Sequence, residues 1–190
     1  MRIITGSARG TRLATLTGDA TRPTAERVKE AVFSMLQSVQ GARVLDLYAG
    51  SGQLALEALS RGAASAVLCD ASRAAVSVIR SNAEKTHLQE KCDVRCMDAG
   101  LLLSRLATER QAFDLVFLDP PYAMGAIPSV LSLLSERELL ARDARIVCES
   151  ATAEDVLPVD GEVPEGFVVL RTARYGAAFV TVLLWKGEEA

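Results

Sequence analysis

After Gly41 the chain falls into a strict alternation that few folds can accommodate. The segments "ARVLDLYA", "SAVLCD", "CDVRCMD", "FDLVFLD" and "ARIVCES" are short, continuous apolar runs. Between them lie stretches with helical spacing: "QLALEALSRG" closed by Gly62, "SRAAVSVIRSNAEKT", Gly100–Arg110 and Ile127–Leu134. A strand that is apolar along its whole length must be buried on both faces, and intervening helices supply the cover. The pattern therefore predicts a doubly wound α/β fold around a mostly parallel sheet. The last two runs, "GFVVLRTARYG" and "AAFVTVLLWKG", flank a tight turn near Tyr175–Gly176 and should pair as an antiparallel C-terminal hairpin, making seven strands.

The first forty residues obey a different rule. Arg2–Thr5 and Thr11–Thr15 read as two short strands around "GSARG", a small N-terminal β-hairpin extension. "TRPTAERVKEAVFSMLQ" reads as a helix, with Pro23 in its first turn, Thr21 or Thr24 as cap, and Val28, Val32, Met35 and Leu36 on one face. Net charge is −3, but it is unevenly spread. Residues 1–43 carry seven cations (Arg2, Arg9, Arg12, Arg22, Arg27, Lys29, Arg43) against Asp19, Glu26 and Glu30. A basic head on an acidic body suits a polyanionic partner better than the overall charge suggests. We divide the chain into an extension over 1–40 and a main domain over 41–190.

Composition excludes several classes. With 49% hydrophobic residues the 190-residue chain can bury a sizeable core, yet its longest apolar runs are far below membrane length. "MRIITGSARG" lacks the apolar run of a signal peptide, so a soluble, cytoplasmic protein with no membrane association is expected. Cys69, Cys92, Cys96 and Cys148 are too sparse for a disulfide scaffold and form no CxxC pair. They are expected to be small core residues in a reducing compartment. His87, the one histidine, sits in "EKTHLQEK", a solvated helix end, so no metal is expected. No surplus apolar segment demands a partner, and a monomer is expected.

Chemistry enters at the strand ends. "LDLYAGSGQLALE" joins the first strand of the main domain to its first helix, and Gly50 and Gly52 lie where the chain turns sharply. In such sheets ligands bind beyond the carboxyl ends of the strands. Gly50, Gly52 and Ala55 satisfy G-x-G-x-x-A, so a dinucleotide site is formally allowed. Asp46 argues against it, because a carboxylate four residues before Gly50 would repel a pyrophosphate. It suits the ammonium and sulfonium of S-adenosylmethionine. Asp70 ends the second strand and can accept hydrogen bonds from ribose hydroxyls, and Asp98 ends the third and can accept from an adenine amino group.

The fourth of these strands stops on Asp119, Pro120, Pro121 and Tyr122. Proline lacks an N–H and fixes φ, so the pair halts the strand and stiffens the turn. The Asp119 carboxylate and the Pro120 carbonyl then offer two acceptors at fixed separation. A planar exocyclic NH2 offers two donors, and Tyr122 a surface for stacking a base. An aryl amine is a poor nucleophile because its lone pair is delocalised. Two acceptors can aim that lone pair at a methyl group and stabilise the positive charge that develops on nitrogen.

Taken together, "DLYAGSG" and "DPPY" resemble class I S-adenosylmethionine-dependent methyltransferases that modify exocyclic or amide nitrogens, which have a Rossmann-like methyltransferase fold. Over nearly its full length the chain resembles the RsmD family of 16S ribosomal RNA guanine-N2 methyltransferases. The segments "RIITGSARGTRL", "TRPTAERVKEAVFSML", "LDLYAGSGQLALEALSRGA", "FLDPPY" and "RYGAAFVTVLLW" carry the likeness. The resemblance implies methyl transfer from S-adenosyl-L-methionine, leaving S-adenosyl-L-homocysteine, to a guanine amine in 16S ribosomal RNA or the small ribosomal subunit. It implies catalytic roles for Asp119, Pro120, Pro121 and Tyr122. Cofactor positions fall on Gly50, Gly52, Asp70 and Asp98, with Asp46 and Tyr48 beside them. RNA contacts fall on Arg9, Arg12, Arg22 and Arg27. The sequence departs from the family where Cys69-Asp70-Ala71-Ser72 replaces a more usual Glu-x-Asp. Other readings stay open: DNA adenine or a protein glutamine amide as acceptor, a dinucleotide-dependent oxidoreductase, or a non-catalytic RNA-binding protein.

Overall fold

The computed structural model describes residues 1–16, 23–121, 125–156 and 164–187. Elements run in the order α1 (Pro23–Leu36), β1 (Arg43–Asp46), α2 (Gln53–Ser60), β2 (Ser65–Asp70), α3 (Arg73–Lys85), β3 (Cys92–Cys96), α4 (Ala99–Thr108), β4 (Phe113–Leu118), α5 (Ile127–Glu136), β5 (Leu140–Ser150), β6 (Phe167–Tyr175) and β7 (Ala178–Trp185). They build one seven-stranded sheet in the order β3-β2-β1-β4-β5-β7-β6. The first five strands in that order are parallel, β7 is antiparallel to β5, and β6 to β7. The doubly wound sheet and its C-terminal hairpin are those the alternation predicts.

Two-residue strand periodicity sorts the core into two layers. Val44, Leu115, Phe117, Val147, Val180 and Val182 face one side, where α2, α3 and the N-terminal arm pack. Leu45, Val116, Leu118, Ile146, Cys148 and Leu183 face the other, under α4 and α5. Helix boundaries follow local chemistry. The Ser72 hydroxyl accepts from Ala75 N–H at 3.3 Å to cap α3, and left-handed Gly62 (φ 104) follows the end of α2.

The N-terminal extension is less regular than expected. Arg2–Thr5 and Thr11–Thr15 make a single antiparallel bridge, Arg2 to Arg12, rather than two strands. Its backbone is held by α2 and α3 instead. Ile4 and Thr5 N–H donate to Glu57 at 2.8 and 3.0 Å, Ala8 N–H donates to the Ser60 hydroxyl at 3.0 Å, and Ala14 N–H donates to Asn82 Oδ1 at 2.8 Å. Lys29 on α1 closes the cluster: its Nζ lies 3.2 Å from Glu57 Oε2 and donates to Arg2 O at 2.6 Å. With its backbone N–H groups taken up this way, the arm needs no sheet ladder of its own.

The cysteines divide. Cys69 and Cys148 are buried as expected, but Cys92 is half-buried and Cys96, the last residue of β3, is exposed. His87 is exposed in a left-handed conformation (φ 56) just past the end of α3. Among the described residues no helix is long and apolar enough to cross a membrane.

Candidate active site

Four acids stand at the carboxyl ends of four neighbouring strands. Asp98 follows β3, Asp70 ends β2, Asp46 ends β1 and Asp119 follows β4. At about 4.8 Å per strand they span roughly 15 Å. Strand order reverses between β1 and β4, the switch point where an open α/β sheet forms its ligand crevice.

Asp46 is buried at the centre of this row, 2% exposed. Burial pushes its carboxyl up to about 7; the Ala55 N–H in the first turn of α2 opposes the shift, and the charge of Asp70 adds to it. The ionised form is therefore short of positive compensation. A cation placed beside it would supply what the fold does not.

The glycine turn lies directly beyond. Left-handed Gly50 (φ 53) donates its N–H to Asp70 Oδ2 at 3.0 Å, and Ser72 N–H donates to Oδ1 at 2.8 Å. The departure at residues 69–72 thus uses a short arm to tie two loops together, and each Asp70 oxygen retains a second acceptor site. A Cβ on Gly50 would meet nothing within 4 Å, so the space above the turn is open to a ligand. At Gly52 (φ 76) a Cβ would crowd Leu68 Cδ2 at 3.2 Å, so that glycine serves close packing. Asn82 braces the turn: its Nδ2 donates to Ser51 O and to Ala14 O, each at 2.9 Å.

Asp98 caps α4, with Oδ1 accepting from Gly100 and Leu101 N–H at 2.8 and 3.3 Å. It is exposed, and Oδ2 remains available for an amino group. Tyr48 packs half-buried on the second layer, and burial, then the charge of Asp98, hold its phenol above the ordinary value. This arrangement of an under-compensated buried acid, open glycine backbone and flanking carboxylate acceptors fits a cationic nucleoside better than a pyrophosphate.

On the other side of the switch point, Asp119 is half-buried, Pro120 buried and Pro121 exposed. The two prolines form one wall of a cleft whose other lining includes Gly125, Ala126, Ile127 and Ser150. The end of β5 and the start of α5 thus frame a small space beside the two prolines that follow Asp119. Sequence reasoning missed Ser150; the signal was its place at the end of the next parallel strand, "ARIVCES". It also missed Asn82, which no motif marks. Tyr122 and Arg22 lie outside the described residues.

The structure redistributes the basic head. Lys29 is 1% exposed and spent on Glu57, while Arg2 and Arg43 pair with Glu26 and Asp114 at 3.5 and 3.1 Å. Arg9, Arg12 and Arg27 are exposed. Arg9 follows a turn whose Ser7 N–H donates to Ser60 O at 2.8 Å, at the end of α2 away from the glycine turn. The eight residues of α2 separate it from that turn by about 12 Å. The Leu36 end of α1 meets Arg145 of β5, so Arg27 lies toward the other, carboxyl end. Among the described residues no cluster of three or more His, Cys, Asp or Glu is arranged to hold a metal ion.

Known proteins share this architecture. A family described as conserved hypothetical protein 95 matches residues 1–184. YlbH of Bacillus subtilis is 35% identical over 188 residues, covering 98% of this chain and 100% of that one. Ribosomal RNA small subunit methyltransferase D of Escherichia coli is 36% identical over 159 residues, covering 83% of this chain and 78% of its own. The solved structure of yhhF from Escherichia coli shares 32% identity and a TM-score of 0.82, with 99% of each chain covered.

Proposed function

Since this chain belongs to the conserved hypothetical protein 95 family, the RsmD family, we propose that it is a ribosomal RNA methyltransferase that uses S-adenosyl-L-methionine and acts on the N2 amine of a guanine in 16S ribosomal RNA. The observation that supports the reading is the row of carboxylates across the switch point, with buried Asp46 at its centre and Asp119 followed by two prolines that line a cleft.

Bound S-adenosylmethionine supplies an electrophilic methyl group on a positively charged sulfur. Ionised Asp46 compensates the cofactor's positive charge. Gly50 lets the backbone approach, Asp70 accepts from ribose hydroxyls, and the free oxygen of Asp98 accepts from the adenine amine. Tyr48 borders the same space. Asp119 and the Pro120 carbonyl accept the two N–H bonds of the guanine amine, which fixes the nitrogen lone pair along the line of attack. The prolines remove the backbone freedom that would blur that geometry. Asp119 would also stabilise the positive charge appearing on nitrogen as the N–C bond forms and the methyl–sulfur bond breaks; S-adenosyl-L-homocysteine leaves as a neutral thioether and the nitrogen gives up its extra proton to water. Alignment accounts for most of the acceleration, an effect worth roughly 7–11 kcal/mol when geometry is fixed. Tyr122 provides the stacking surface.

The 1–40 extension serves as an RNA-contacting arm through Arg9, Arg12, Arg22 and Arg27, and 41–190 as the methyltransferase domain. Arg9 lies a helix length from the glycine turn, so its contacts are with RNA flanking the target. A target amine inside a duplex must be flipped out or already unpaired. The favoured substrate is an assembled small-subunit particle in the cytoplasm, and the enzyme acts as a monomer. The test is transfer of tritiated methyl groups to small subunits lacking the modification, followed by nucleoside analysis. Label in N2-methylguanosine is expected, with naked RNA labelled more slowly. Label in another nucleoside, or in protein, overturns the substrate assignment.

A further inference from the structure

The segment "RYGAAFVTVLLW" carries part of the family resemblance, and burial of β7 accounts for most of it. Arg171 and Arg174 on the neighbouring strand are left over. Here β6 is the outermost strand beside β7 and is exposed at every position from Val168 to Thr172. Arg174 pairs with Phe179, which pairs with Ser150 of the cleft. Arg174 therefore lies level with the cleft wall, two strand spacings away, about 10 Å. Its guanidinium is held in place: Nε donates to Gly176 O at 3.0 Å, and Cζ lies 5.5 Å from the Phe179 ring centre.

Arg171 projects from the opposite face of the strand. It stands across from Val182, on the face of the first core layer, whereas Thr172 meets Thr181 on the other. The two guanidinium groups thus straddle the sheet edge. Neither has a carboxylate partner among the described residues. Alternate outward N–H groups of this edge strand add further donors with no ladder partner among the described residues. Arg174 level with the cleft, Arg171 level with Val147 three residues below it, and the N–H donors between them are complementary to a chain of phosphates.

We propose that the β6 edge is a second RNA-binding site, in which Arg171 and Arg174 grip the phosphates of a single-stranded segment flanking the target nucleotide. The proposal rests on the ribosomal RNA reading above. It adds contacts at the β6 edge, against which α1 packs, to those of the arm on α2 and α3.

The test compares Arg171→Gln, Arg174→Gln and the double variant with wild type. Binding of a 16S ribosomal RNA fragment is measured against salt, beside KM and kcat for methyl transfer and affinity for S-adenosylmethionine. The double variant should raise KM about tenfold, with kcat and cofactor affinity unchanged. Its log–log salt slope should shrink by about 1.4, near 0.7 for each lost phosphate contact. Arg171→Lys with Arg174→Lys should retain most of the affinity, and Arg142→Gln at the distant amino edge should change nothing. Wild-type RNA affinity and salt slope in the double variant would overturn the proposal. So would unchanged RNA binding with activity lost only on the assembled particle, which would identify a protein partner. If wild type fails to methylate, the functional reading falls while the RNA titration still decides this site.

Discussion

Glu57 and Asp46 are both buried acids, one in the body of α2 and one at the strand end that leads into it. Their surroundings differ sharply. Glu57 is 0% exposed and accepts from the Ile4 and Thr5 N–H groups and from Arg61 Nε, with Lys29 beside it. Its charge is fully answered by the fold, and it binds three parts of the molecule together. Asp46 is equally buried but has burial raising its pKa to about 7, with one backbone N–H in opposition. A carboxylate the fold satisfies is architecture; one it leaves short of positive charge is open to a cation from outside, the role proposed for Asp46.

The largest effect should come from the satisfied acid. Glu57→Gln leaves Lys29 buried without its counter-charge, a loss of about 3–5 kcal/mol. Chemical denaturation should show it, together with faster exchange of the Ile4 and Thr5 amides. Replacing both partners, Lys29→Met with Glu57→Leu, should recover much of the loss in global stability. The arm would nevertheless stay loosened, because its N–H groups lose their acceptor. An unchanged midpoint for Glu57→Gln would break the comparison.

Asp46→Asn should act in the opposite direction on the ligand-free protein. The folded-state value near 7 lies above the ordinary 3.8. Stability linked to this group is therefore full below about 3.8, falls as pH rises, and is lost once pH passes about 7. The substitution should stabilise the protein at pH 8 by up to roughly 4 kcal/mol, with the gain vanishing toward acid. Affinity for S-adenosylmethionine should fall. In wild type that affinity should also weaken as pH drops from about 7 to about 5.5, a dependence the variant should lack. Parallel pH profiles in the two proteins would remove Asp46 from the cofactor site.

Smaller effects should separate the two glycines. Both have positive φ, so either alanine costs about 1–2 kcal/mol in backbone strain. Gly52→Ala adds crowding against Leu68 and should lower thermal stability more. Gly50→Ala meets open space and should instead lower cofactor affinity more. Calorimetry and melting on the same two variants would test the split.

Much of this was legible in the sequence, and the reasons are physical. Continuous apolar strands such as "FDLVFLD" admit few arrangements, so sheet class and element order followed from pattern alone. The strand-end acids Asp46, Asp70, Asp98 and Asp119 could be placed because a parallel sheet sends all carboxyl ends to one edge. Residues whose role depends on long-range contact were not legible. Lys29 reads as one more surface cation of a basic head, and only folding brings it to Glu57, 28 positions away in sequence and 3.2 Å away in space. Asn82 looks like any polar helix residue until Ala14 and Ser51 converge on it. The two strands expected in the arm were reduced to one bridge because its N–H groups found side-chain acceptors on α2 and α3.

Asp119 is proposed to act on the nucleophile and not on the cofactor. Asp119→Ala should bind S-adenosylmethionine with wild-type affinity by calorimetry, while methyl transfer to unmodified small subunits falls at least about 10²–10³-fold. Full turnover in that variant, or loss of cofactor binding in step with activity, would contradict the account.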